Sequence, residues 1–208
     1  MDVHPPQGPI HTWQAFLVHM LTITIGLFIA LTLEAAVESM HYRHLVRDAR
    51  ANLGREIQSN HTLYAENLQN LERNRTKLAV DLGQLRQLRD GKKLANPELK
   101  WGWGWSSYSD ASWKSARDSG AIAHMDPDTI AGYALVYAQQ DYVNGTMIAL
   151  IREESRASAP LEVAGDPARL TPSETETLLI RTAELDQSLR SLEATMKSLD
   201  DFYQRAPK

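Results

Sequence analysis

Cysteine is absent from the 208 residues, which removes disulfide staples, thiolate zinc sites, iron–sulfur clusters and cysteine nucleophiles together. Proline and glycine are scarce, at 9 and 11, so collagen-like and low-complexity chains are excluded. No proline lies between Ile10 and Asn96, and a helix can cross that whole interval unbroken. Positive charge is not in excess either. With 22 Lys and Arg against 26 Asp and Glu, the net charge of −4 gives no electrostatic ground for a nucleic-acid partner. Phosphate-binding, dinucleotide-binding, serine-hydrolase and zincin signatures are all missing, so the reading is of a protein with neither cofactor nor catalytic site.

One long hydrophobic run is present. Ala15 to Leu33 is uncharged apart from any proton on His19, and as a helix its 19 residues span about 28 Å, close to a bilayer's hydrocarbon core. Trp13 stands where an interfacial anchor belongs, and Glu34 and Glu38 close the other end. The run lacks a basic leader and a small-residue cleavage site, so it reads as a retained single-pass membrane helix rather than a signal peptide. Arg43, Arg47, Arg50 and Arg55 follow it while residues 1–14 carry no Lys or Arg. The positive-inside rule therefore places the C-terminal part in the cytoplasm, at an inner (plasma) membrane.

Inside the run, Thr22, Gly26 and Ala30 recur every four residues, a spacing that sets small side chains on one face where a second membrane helix can approach. The same residues also occur commonly in membrane helices without forming a seam. Glu38 and His41 form an E-x-x-H, the spacing at which carboxylate bundles present two metal ligands. A second such pair is missing from the chain, so metal binding there requires oligomerisation; the plainer reading is a polar collar beside the membrane.

Beyond the run the periodicity is helical. Ile57, Tyr64, Leu71, Leu78 and Leu85 repeat every seven residues, with His61 and Arg75 interrupting a second row that contains Leu68 and Leu82. Gly91 and Asn96-Pro97 end that helix. A short helix is expected from Ser109-Asp110 to Ser119-Gly120. Asp126-Pro127 starts a long one, apolar at Ile130, Tyr133, Tyr137, Val143, Met147, Ile148 and Ile151, that ends near Ala157. Pro160 to Pro167 reads as a linker. Thr171-Pro172-Ser173-Glu174 opens the last helix with a capping box, and Leu185, Leu189, Leu192, Met196 and Leu199 give it the cleanest heptads.

The fold class is thus all-α. The expected organisation is a tail at 1–14, a transmembrane helix at 15–37, a stalk at 38–53 and an antiparallel helical bundle with coiled-coil-like packing at 54–208. Trp101, Trp103 and Trp105 alternate with glycine in one extended stretch, which suits either an aromatic ligand platform or an indole cap over the distal end of the bundle.

The block from His11 to Ile57, with its Ile-Gly-hydrophobic-Ile-Ala-Leu phrase near Gly26 and Ala30, resembles the anchors of bacterial single-pass proteins of unknown function. Ser112 to Gly120 is similar to a W-x-x-x-x-x-S-G phrase in their soluble domains. The resemblance implies a membrane-tethered helical domain and no particular activity. The chain is accordingly expected to be an interaction or scaffold protein. Its partners would be the lipid bilayer and further copies of itself or other membrane subunits. A ligand-sensing module and an oligomeric metal enzyme are the alternatives.

Overall fold

The computed structural model describes residues 13–94, 98, 99, 102 and 104–207, and every regular element among them is helical. The order is α1 (Trp13–Arg89), α2 (Ala111–Asp118), α3 (Pro127–Ala157), α4 (Ala159–Ala164) and α5 (Pro172–Gln204), with 3-10 turns at Ala121–His124 and Pro167–Arg169.

The stretches anticipated as membrane helix, stalk and first bundle helix are one 77-residue helix. Nothing in 13–89 removes a backbone donor, so nothing ends the helix before Gly91 adopts φ of 73°. There Gly91 N donates to Leu88 O and Lys92 N to Gln87 O, the paired bonds of a left-handed C-terminal stop. α1 passes through two compact units, Met1–Asp48 and Ala49–Lys208.

In the first unit no described residue is buried. Its apolar part reaches a mean hydropathy of 2.2, which makes α1 the one described helix long and apolar enough to cross a membrane by length and composition.

The second unit owns the core. From α1 it takes Leu53, Ile57, Tyr64, Leu71, Leu78, Leu82 and Leu85; from α3 Tyr133, Val136, Tyr137, Val143, Met147 and Leu150; from α5 Leu178, Leu185, Leu189, Leu192, Met196, Leu199 and Tyr203. Ile148 and Ile151 are exposed, contrary to the expected α3 face, because the inward stripe runs Val136, Gln140, Val143, Met147, Leu150 and leaves them off it.

Contacts fix the directions. Gln139 reaches the Thr195 carbonyl, and a Cβ on Gly132 would meet Pro207 at 2.6 Å, so α3 and α5 run oppositely. His61 meets Asp200 and Arg75 meets Glu193, so the α1 part of this unit also opposes α5. Arg50 bonds Asp126 and Asn60 bonds Gln140, so α1 and α3 run the same way. The intervening chain must therefore travel back along α1. A simple antiparallel succession of helices gives way at this point to a return segment.

Local signals set the starts. Asp126 accepts from Thr129 N at 2.8 Å, and the Thr129 hydroxyl together with that backbone bond holds its carboxyl below the usual range. Thr171 and Glu174 form the reciprocal capping box. The expected linker contains α4, because Pro160 falls in a first turn, where its missing N–H costs nothing, and Gly165 closes it at φ of 65°. Leu99, Leu161 and Leu170 pack on Leu82, Leu85, Leu178 and Leu179 and close that end of the core.

Candidate functional site

The most distinctive chemistry lies beside the apolar row, three residues along. Asn60, Asn67, Asn74 and Asp81 repeat every seven residues on α1 and are all buried. A buried amide must be hydrogen-bonded at both ends or it destabilises the fold. Among the described residues, two of these bond main chain. Asn60 donates to Ser109 O at 2.7 Å and accepts from Ser109 N at 3.0 Å. Asn67 does the same with Ser106, at 2.8 and 3.2 Å.

From the opposite wall Asn144 of α3 donates to Tyr108 O at 3.2 Å and accepts from Tyr108 N at 3.1 Å. Near the far end of α1, Gln84 brackets Glu98 in the same way, at 3.2 and 3.1 Å. Each amide thus engages both main-chain groups of a single residue, the exchange that a neighbouring β-strand normally supplies. Ser106 and Ser109, three residues apart, bond amides seven residues apart on α1, about 10 Å along the helix, so this stretch runs extended between α1 and α3, with no strand beside it among the described residues.

Side chains hold this segment at few points. Tyr108 is buried against Tyr203, ring centroids 6.4 Å apart, and Trp105 sits half-buried with its edge on Tyr108 at 5.8 Å. Burial pushes the Tyr108 hydroxyl up to about 12 and raises Tyr203 further. The Asn67 amide beside the Tyr108 hydroxyl and the Gln140 amide beside that of Tyr203 offset part of this rise. Gly104, Ser106, Ser107 and Ser109 are exposed.

Next to the segment, Glu56 of α1 accepts from Tyr137 OH at 2.8 Å, Ser109 Oγ at 2.7 Å and Ser112 N at 3.0 Å. It therefore caps Ser112 N of α2 from another helix, while Ser109 Oγ, as expected of it, accepts from Ala111 N at 3.3 Å. Asp110 makes no side-chain cap bond.

The anticipated sites separate on this framework. Trp101 and Trp103 lie outside the described residues. Trp105 is not over the distal end of α1: a Cβ on Gly104 would be 3.8 Å from the Asn70 amide, well before Arg89. The amides draw the segment along the side of α1, and leucines close the end instead.

Thr22, Gly26 and Ala30 are exposed; the Thr22 hydroxyl is satisfied by Val18 O at 2.9 Å, and a Cβ on Gly26 would meet nothing. Glu38 accepts from Tyr42 OH at 3.1 Å, and the His41 ring lies beside Tyr42. Among the described residues no three metal-capable side chains cluster. Leu185, Leu189, Leu192, Met196 and Leu199 are all buried.

The two interruptions of the α1 seam make polar contacts to α5. His61 Nε2 lies 2.8 Å from Asp200, and Arg75 pairs with Glu193 and approaches Asp186 at 3.8 Å. A cleft of about 520 Å³ between the far ends of α3 and α5 is lined by Arg156, Arg181, Glu153 and Glu184, so its charges balance. Comparison with protein-family models, curated proteins and solved structures finds no match.

Proposed function

We propose that the chain is a membrane-anchored helical interaction protein that self-associates or serves as an accessory subunit of a larger membrane complex. The observation that carries this reading is the double character of α1. Its first part is apolar and buries nothing, while its second part buries one seven-residue row of apolar side chains and one of three asparagines and an aspartate. A solvent-exposed run of that length and hydropathy needs lipid or protein around it.

Several further features agree. Coiled-coil-like packing of α1, α3 and α5 in a bundle suits the heptads of α5. Thr22, Gly26 and Ala30 offer a close-approach face for a second membrane helix. The arginines after the span favour a cytoplasmic C-terminal part at a plasma membrane, and the resemblance of the anchor to those of bacterial single-pass proteins agrees with a membrane tether.

The test is the intact mass of the protein gently extracted from its own membrane. Multiples of 23.4 kDa are expected for self-association, and added mass from other chains for an accessory subunit. A lone 23.4 kDa species, unchanged by Gly26→Leu, overturns the proposal. Single cysteines introduced at Ser59 and Ser198 report sidedness without background, because the chain has none of its own.

A further inference from the structure

We propose that the amide face between α1 and α3 is a groove for an extended polypeptide, recognised by its main chain, and that residues 104–109 are a resident strap that opens to admit it. Asn60, Asn67 and Asn144 each engage the N–H and C=O of one residue and ignore its side chain. Such a reader accepts any extended segment with free main-chain donors at those three places and rejects proline there.

Three properties make the strap separable. Its apolar hold is confined to Tyr108 and half of Trp105, the rest being small, exposed residues. The floor beneath it is polar: Asn60, Asn67 and, from α3, Asn144 become hydrated when uncovered, whereas an apolar floor would resist exposure to water. A positive-φ glycine, Gly102 at 122°, precedes it and gives the chain a place to turn. The apolar layer of Leu189, Leu192, Met196 and Leu199 belongs to α5 and does not depend on those amide bonds.

The inference deepens the interaction reading by naming a partner chemistry, and it is independent of self-association. A chain that assembles but whose strap never opens refutes the groove alone.

Two measurements decide it. In hydrogen exchange of the unaltered full chain in detergent, the Ser106, Tyr108 and Ser109 amides should exchange by a local opening while Leu189 and Leu192 stay protected. If all five exchange together, through global unfolding only, the strap is not separable and the proposal falls. In the second, a labelled peptide of sequence Gly104–Asp110 is added to the Tyr108→Ala chain, whose strap has lost its main anchor and competes less in cis.

The expected result is binding at least about tenfold tighter than that of the same peptide N-methylated at the nitrogens equivalent to Ser106, Tyr108 and Ser109. Adding Asn60→Ala and Asn67→Ala should abolish it. Equal binding of the two peptides, or binding of neither, overturns the groove. The exchange experiment needs no variant and stands if Tyr108→Ala fails to fold.

Discussion

Two rows on α1 share a period of seven and do opposite things. Ile57, Tyr64, Leu71, Leu78 and Leu85 turn apolar side chains into the core, while Asn60, Asn67, Asn74 and Asp81 bury polar ones, and Asn60 and Asn67 bond the return segment. Both rows are buried, so burial alone does not distinguish them; what they bury against does. The apolar row gains from leaving water whatever surface it meets, and it tolerates imprecise placement. The amide row gains only if donor and acceptor meet partners at hydrogen-bond distance, so it specifies one path for the chain. The first row holds the helices together. The second sets where residues 104–109 run.

Breaking each row should separate these roles. Leu71→Ala removes a side chain only 2% exposed and leaves a cavity between helices; a loss of about 2–5 kcal/mol is expected, read as a lower denaturation midpoint. Asn67→Leu should cost less, about 1 kcal/mol, because the Ser106 main chain it releases is at the surface and can turn to water. Its effect should instead be local, with faster exchange at Ser106 and Tyr108 and little change at Leu192. If Asn67→Leu destabilises the fold as much as Leu71→Ala, the amide row is part of the global core and the distinction between the rows fails.

How much of this was readable from sequence follows the same division. α3 and α5 begin where Asp126-Pro127 and Thr171-Pro172 indicate, because a cap is a contact among residues three apart. The apolar row was visible because hydrophobic period is intrinsic to the helix that carries it. The amide row is just as periodic, but its meaning is not local. Asn67 and Asn60 pair with residues 39 and 49 positions away, and only the parallel run of α1 and α3 brings the return segment between them. For the same reason the Trp105 region was expected at the distal end of α1 and lies along its side, while Leu99, Leu161 and Leu170 take the closing position.

The smallest expected effect sharpens the comparison through two tyrosines, one on each side of it. Tyr203 packs on Tyr64 of the apolar row, and Tyr108 belongs to the strap. Burial raises both hydroxyls above the ordinary value of 10.0, Tyr108 to about 12 and Tyr203 beyond it. A group whose value is raised on folding contributes stability that is fully present below the unfolded value and fades as pH climbs through the folded one. Stability should therefore be level up to about pH 10 and decline above it. Tyrosinate absorbance should show Tyr108 ionising before Tyr203, and Tyr108→Phe should delete the earlier of those two phases while leaving unfolding at neutral pH nearly unchanged. If the two ionise together with loss of helical signal, strap and core open as one unit, and the two rows of α1 act as a single surface.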